Sequence, residues 1–396
     1  MRAIAALIGC LLLAAPAAAR DLRIATWNME AAWDGKIEAN EDKLREAAAQ
    51  IKADVYVLEE INSLTLVKRI AELLGVAGAQ IAVSDFAKPV GTDITRSLEN
   101  AVISTVPIVK ATELEFDAGD RSGPLVNDAA TATAREPLTV PAEVRQTLDE
   151  SVLSGLHASR GALRVELSNG LVIYAVHAKS EFSNYCAALS DAAEKITEAL
   201  KPAPSAPADT DTAGAVAALA QARSALAVLT KDEEETSFTR EWIKNAQKRE
   251  ALFGALAEKA AADVRNHLTV AVMGDFNIPI DDPRSGKNLG EDCNPTRSCS
   301  RAVADRNCQG KDGLDDSHFL ISGGLQRAHG ENFAMRPLTK DLTVTLTGDF
   351  ASAIDHIYVA GPQEDRFSMA ETRHDAGGHG FSSDHLPVVT IFHQPD

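Results

Sequence analysis

The tetrapeptide Gly274-Asp275-Phe276-Asn277 directly follows the apolar run Leu268–Met273, and this junction restricts the chain more than any other stretch. Side chains on a strand alternate between faces, so Asp275 and Asn277 place their polar tips together at the end of a buried strand. An acid beside an amide at that point suits a hard cation and the phosphate bound to it. Four further fragments share the pattern: Thr26-Trp27-Asn28, Leu58-Glu59-Glu60-Ile61, Ala175-Val176-His177 and Ser382-Ser383-Asp384-His385-Leu386-Pro387. Each sets Asn, Glu, His or Asp at or near the end of an apolar run. One such end is commonplace; five in one chain are not.

Apolar runs alternate with amphipathic stretches, which predicts an α/β architecture. Expected strands are Leu22–Asn28, Val55–Glu60, Gln80–Ser84, Asn100–Val106, Ala162–Leu167, Val172–His177, Leu268–Met273, Ile354–Val359 and Pro387–Phe392. A helix is expected over Glu38–Lys52, with Leu44, Ala47, Ala48 and Ile51 on one face and Asn40 as its N-cap. Asn62 or Ser63 caps a second helix that stops before Gly75, and a longer one covers Phe238–Ala261. On that third helix Arg240, Lys244, Lys248 and Arg249 read as a solvated basic face. Two stretches break the rhythm. Residues 117–155 read as a long excursion between strands, and residues 201–236, Pro- and Ala-rich with an acidic end, as a peripheral insertion.

Residues 1–19 have the form of a secretory signal: Arg2, an apolar stretch through Leu13, then Pro16-Ala17-Ala18-Ala19. The expectation is a single domain over 20–396 that is secreted or periplasmic. No later run reaches the roughly 18 apolar residues of a membrane span, so no stable membrane insertion is expected. The net charge of −18 becomes one unit more negative once Arg2 is removed. Such a balance disfavours broad, sequence-blind adhesion to nucleic acid or anionic lipid, while leaving room for a phosphate site served by local cations. No protein partner is inferred. Cys186, Cys293, Cys299 and Cys308 remain after processing, an even number that argues for two disulfides among three possible pairings. A four-thiolate zinc site is the rival, although no Cys-x-x-Cys pair is present. The chain also lacks a Gly-x-Ser-x-Gly elbow, a His-Glu-x-x-His helix and a Gly-x-x-x-x-Gly-Lys loop.

Taken in order, the five fragments resemble the endonuclease/exonuclease/phosphatase, or DNase-like, superfamily. The resemblance spans Leu22 to about Phe392. Gly274-Asp275-Phe276-Asn277 followed by Ser383-Asp384-His385-Leu386-Pro387 is its specific pair. It implies a four-layer α/β/β/α sandwich of two mixed sheets flanked by helices. It also implies roles: Glu60 and Asp384 as ligands for Mg2+ (Mn2+ or Ca2+ in its place), with Asn28 holding the metal or a phosphate oxygen. Glu59 stands where the family usually has Gln. Asp355 in Ile354-Asp355-His356 would orient His385, and His385 would take a proton from water. Asp275 would orient that water, Asn277 would reach a phosphate oxygen, and His177 would stabilise the pentacovalent phosphorus or protonate the leaving oxygen. Arg160 matches a phosphate-holding position, with a surface ion pair as the alternative. The form His177-Ala178-Lys179-Ser180 followed by Cys186 looks more like the secreted bacterial nuclease branch than the sphingomyelinase branch.

The expected activity is thus metal-dependent phosphodiester hydrolysis with nucleic acid, DNA or RNA, as substrate. A phospholipid phosphodiesterase or a phosphomonoesterase is the runner-up, and a binding module that kept the fold without turnover is a third possibility.

Overall fold

A computed structural model describes residues 20–84, 99–116, 132–180, 232–280, 315–348 and 351–394. The expected signal segment, the four cysteines, residues 117–131 of the first insertion and 201–231 of the second lie outside these ranges.

The described strands are β1 (Leu22–Asn28), β2 (Val55–Ile61), β3 (Gln80–Val83), β4 (Glu99–Ser104), β5 (Ile108–Glu115), β6 (Ala132–Pro137), β7 (Ala162–Leu167), β8 (Leu171–His177), β9 (Thr269–Asp275), β10 (Arg336–Pro337), β11 (Asp355–Ala360), β12 (Glu371–Thr372) and β13 (Val388–Phe392). The helices are α1 (Asp34–Ala39), α2 (Glu41–Ile51), α3 (Leu64–Leu73), α4 (Ala142–Arg145), α5 (Glu150–Leu153), α6 (Asp232–Arg265), α7 (Ser317–Ile321) and α8 (Gly324–Ala328). One sheet has six strands in the order β12-β13-β1-β2-β4-β3, and the other has seven in the order β10-β11-β9-β8-β7-β5-β6. Both are mixed, with β1–β2, β8–β9 and β5–β6 running parallel.

Alternation along the strands builds three apolar layers. Ile24, Val55, Val57 and Val102 of the first sheet meet Val165, Ile173, Ala271, Met273 and Ile357 of the second between the sheets. On the outer face of the first sheet, Tyr56, Leu58 and Ile103 receive Leu44, Ala47 and Ile51 of α2 and Leu66, Val67 and Ile70 of α3. Outside the second sheet, Val172, Tyr174 and Val270 receive Leu252, Phe253 and Leu256 of α6. Each fully buried Leu, Ile or Phe contributes roughly 1.5–3 kcal/mol, so these faces fix which side of each helix points inward. The result is the four-layer α/β/β/α sandwich expected from the sequence.

Several local features depart from expectation. The helix expected over Glu38–Lys52 is two helices broken at Asn40, whose backbone (φ −124°, ψ 20°) leaves the helical region. Asn40 does stand at the N-cap position of α2, but without a side-chain cap bond; its side-chain Nδ2 donates instead to the Lys36 carbonyl at 2.8 Å. Ser63 does cap α3, accepting from the Leu66 amide at 3.2 Å. Strand β5 has no counterpart among the expected strands, because Val109 and Lys110 are exposed while Thr112, Glu113 and Glu115 are buried, which conceals the period-2 pattern. The stretch read as an excursion contains β6, α4 and α5. Arg249 does not belong to a solvated basic face. It is fully buried on α6, where its guanidinium meets Asp315 at 2.6 Å.

Candidate active site

The site lies where β1 and β2 of one sheet and β8, β9 and β11 of the other end together. In the ladders, Asn28 sits opposite Glu59, His177 opposite Asp275, and Asp355 opposite Asp275. Five strand ends from two sheets therefore deliver polar side chains to one place.

Gly274 explains why β9 ends as it does. Its φ is +141°, and a Cβ there would lie 1.9 Å from the Val176 carbonyl and 2.9 Å from Glu59 Oε1. Only glycine allows β9 this close to β8 and to the opposite sheet. Beyond it, Asp275 is buried and its carboxylate gathers donors: the Asn277 amide N–H at 2.8 Å, Asn277 Nδ2 at 2.9 Å and Asn28 Nδ2 at 3.0 Å. Burial raises the Asp275 carboxyl to about 7, with the negative charges of Asp355 and Glu60 adding to the effect and His385 opposing it.

β2 reaches the site through a bulge. The β2–β4 register shifts between Leu58 and Ile61, and Glu60 takes a φ of +60°, rare for a residue with a side chain. The bulge sends the two acids to separate tasks. Glu60 Oε2 accepts the Ala31 amide at 2.6 Å, and Glu60 Oε1 accepts Asn28 Nδ2 at 3.3 Å. Glu59 turns between the sheets, fully buried, where Thr26 Oγ1 donates to its Oε1 at 2.9 Å. Among the described residues its Oε2 has no hydrogen-bond partner. Burial, then the charges of Asp355 and Asp275, hold the Glu59 carboxyl well above the usual carboxylate range. A protonated carboxyl at this place would be a near copy of the Gln that the resemblance puts there.

His385 is fixed from both ends. Trp27 Nε1 donates to its carbonyl at 3.1 Å, and its amide donates to Ser383 Oγ at 3.0 Å, which in turn donates to the Asn28 carbonyl at 2.7 Å. Its Nδ1 donates to Asp355 Oδ2 at 2.8 Å. Burial alone would lower the imidazole, but Asp355, Asp275 and Asp384 overcome that and push it up to about 10.

His177 behaves differently. Arg160 Nη1 lies 2.7 Å from both of its ring nitrogens. A guanidinium only donates, so the ring must be neutral to accept. Burial, followed by the Arg160 and His385 charges, lowers His177 well below the ordinary imidazole range. Its Nε2 stands 3.5 Å from Glu60 Oε1 and 3.7 Å from Asp275 Oδ2.

The residues expected from sequence thus fall into one cleft, with distinctions. Donor atoms of Asp275, Asp355 and His385 lie within 4.8 Å of one another, all on buried residues. Glu60 and Asp384, the acids expected to grip the cation, flank that trio rather than join it. Asp384 is exposed, its Oδ1 3.9 Å from His385 Nε2. Asn28 points its amide nitrogen at two carboxylates, while its Oδ1 accepts the Glu30 amide at 2.8 Å. Asn277 gives its side-chain N–H groups to Asp275 and to the Ala178 carbonyl, at 2.9 and 3.2 Å. Thr26, Trp27 and Ser383 hold the site from within the very fragments that flagged it, yet their hydrogen-bonding tasks leave no periodic signal.

No protein-family model matches the chain, and no curated protein does. The chain is similar to the solved structure of an AP endonuclease from Archaeoglobus fulgidus, 11% identical, covering 94% of this chain and 99% of that one with a TM-score of 0.46. Similar too are the AP endonuclease LMAP from Leishmania major (11% identical, 95% and 89% covered, TM-score 0.45) and the 3′-5′ exonuclease NExo from Neisseria meningitidis (12% identical, 94% and 100% covered, TM-score 0.44).

Proposed function

We propose that this chain is an exported, Mg2+-dependent phosphodiesterase that hydrolyses nucleic acid. The observation that carries the reading is the His385–Asp355 pair, 2.8 Å apart, set against Asp275 on the adjoining strand. A buried imidazole backed by a carboxylate is built to take a proton from water, since the carboxylate fixes the tautomer and stabilises the cation that forms. Asp275 stands within reach of the same donors and can orient that water.

The donor set fits a hard divalent cation. Glu60, Asp384 and Asp275 offer oxygen atoms alone, and the buried Asp275 carboxylate, whose proton affinity burial and the Asp355 and Glu60 charges raise, gains from a positive charge placed beside it. When bound, Mg2+ supplies neutralising charge to the phosphoryl oxygens. The chain's own groups do the rest. Without a cation the Asp355, Asp275 and Asp384 charges keep the His385 ring protonated; with that charge offset by a cation beside those carboxylates, His385 Nε2 can take a proton from the attacking water while Asp355 holds its Nδ1–H. Neutral His177, pinned by Arg160, presents a dipole to the pentacovalent phosphorus, and the Arg160 guanidinium adds charge. The pairing favours stabilisation over proton donation for His177, because a ring that accepts from Arg160 has little tendency to hold a second proton.

Nucleic acid is preferred over lipid because the exposed large apolar residues among those described, Trp33, Val109 and Met369, are scattered over α1's N-cap, β5 and the segment before β12. They form no hairpin to enter a bilayer. No helix among the described residues is long and apolar enough to cross a membrane. Export rests on the sequence of residues 1–19, and two disulfides among Cys186, Cys293, Cys299 and Cys308 accompany it. The test is incubation of purified protein with plasmid DNA, RNA, sphingomyelin vesicles and a nitrophenyl phosphodiester, with Mg2+ and with chelator. Magnesium-dependent cutting of DNA or RNA is expected; cleavage of sphingomyelin alone would replace nucleic acid with lipid, and no cleavage at all would leave only a binding role.

A further inference from the structure

Two buried histidines on the outer face of the second sheet converge on one carbonyl. His318 Nε2 lies 3.0 Å and His356 Nε2 2.9 Å from the oxygen of Ile278, the residue after Asn277. A carbonyl only accepts, so both Nε2 atoms carry hydrogen, and the oxygen's two lone pairs are both used. The tautomer of His318 is secured from behind: Tyr358 Oη stands 2.7 Å from its Nδ1 as donor. His356 Nδ1 meets the Thr339 hydroxyl at 3.0 Å.

The same two rings enclose Phe276. Its ring centroid lies 6.0 Å from His318, 5.4 Å from His356, 5.6 Å from Tyr358 and 4.5 Å from Phe253. Asp275 and Asn277 thus face the cleft while Phe276 and Ile278, on either side of Asn277, are held from the opposite face. Asn277 itself takes a φ of +56°, a conformation that needs its surroundings to maintain it. The neighbouring strand end is tethered from the same layer, with Arg249 Nη1 donating to the Lys179 carbonyl at 2.7 Å.

We propose that His318 and His356 are positioning residues. By holding the Ile278 carbonyl they fix the loop that places Asp275 and Asn277, without touching substrate themselves. The idea rests on the phosphodiesterase reading for its kinetic consequence, and on the loop geometry alone for its structural one. Displacing a catalytic group by about 1 Å can cost on the order of a hundredfold in rate.

The test compares wild type, His318→Leu/His356→Leu and a control, Ile70→Ala, which cuts a buried side chain from α3 in the apolar layer outside the other sheet. Amide hydrogen exchange is followed in peptides covering 274–280 and, for reference, 162–167, and kcat and KM are measured with a nitrophenyl phosphodiester and Mg2+. In the histidine variant, exchange at 274–280 is expected to rise at least about tenfold with 162–167 unchanged. Its kcat should fall about a hundredfold with KM within about threefold of wild type, as expected when orientation rather than binding is lost. The control should show neither effect at a matched loss of Tm. Should the double variant not fold, His318→Leu alone carries the same comparison. Exchange and kcat in the histidine variant equal to those of the control would overturn the proposal. A wild type inert on every phosphodiester would instead refute the phosphodiesterase reading, and the exchange comparison would still decide the role of the histidines.

Discussion

His385 Nδ1 and Asp355 Oδ2 lie 2.8 Å apart, both buried, with Asp355 directly opposite Asp275 in the β9–β11 ladder. The proton on His385 is therefore held by more negative charge than one carboxylate supplies. Because its folded pKa of about 10 exceeds its unfolded value near 6.5, the pair's contribution to stability is complete below about pH 6.5 and is lost as pH rises through 10. The Tm gap between wild type and His385→Ala should accordingly be widest at pH 6 and shrink toward pH 10. A gap that grows with pH would contradict this assignment of the proton.

Glu59 shifts stability in the same direction, in a lower pH range. Its carboxyl is raised well above 4.5 by burial, so the unfolded chain loses this proton first and stability declines as pH climbs past the unfolded value. Glu59→Gln keeps the acceptor for Thr26 and removes that decline. It should match wild type near pH 4, melt higher at pH 7 and retain turnover. A lower Tm for the Gln variant at pH 7 would mean that Glu59 is ionised in the fold.

Arg249 and Asp315 form a fully buried ion pair between α6 and the start of α7. Removing one partner strands the other charge, so Arg249→Met or Asp315→Leu alone should cost about 3–5 kcal/mol in urea unfolding. The double apolar replacement should recover most of that loss. Additive losses would show that the two groups do not depend on each other.

A divalent cation among the carboxylates should be essential. Chelator is expected to abolish turnover, and added Mg2+ to restore it. Glu60→Gln, which removes an anionic oxygen from the cleft, should raise the Mg2+ concentration needed for half-maximal rate by at least about tenfold, in keeping with the cost of losing charge from a cation site. Unchanged Mg2+ dependence would remove Glu60 from the cation's ligands.

Much of this arrangement was legible in the sequence because it is written at strand ends. Asn28, His177 and Asp275 close apolar runs whose period-2 pattern fixes their direction, and β1 and β7 were delimited to the residue. The folded chain adds what periodicity cannot carry. The bulge that separates Glu59 from Glu60 depends on a positive φ at a glutamate, which no local residue announces. At the break, the Asn40 side chain bonds backward to Lys36 and only its carbonyl reaches forward, to Leu44 of α2. Arg249 looked like part of a solvated stripe because its partner, Asp315, lies 66 positions away. His318 gave no signal at all, since its task is to meet a carbonyl 40 residues distant.

The most direct measurement is turnover of a phosphodiester by purified wild type, His385→Ala and Asp275→Ala under Mg2+, with circular dichroism confirming that each is folded. A loss of at least about a hundredfold in kcat is expected for both variants, the scale of removing a general base or a preorganised charge. Wild-type turnover in either folded variant would contradict the claim that these strand ends form one hydrolytic site.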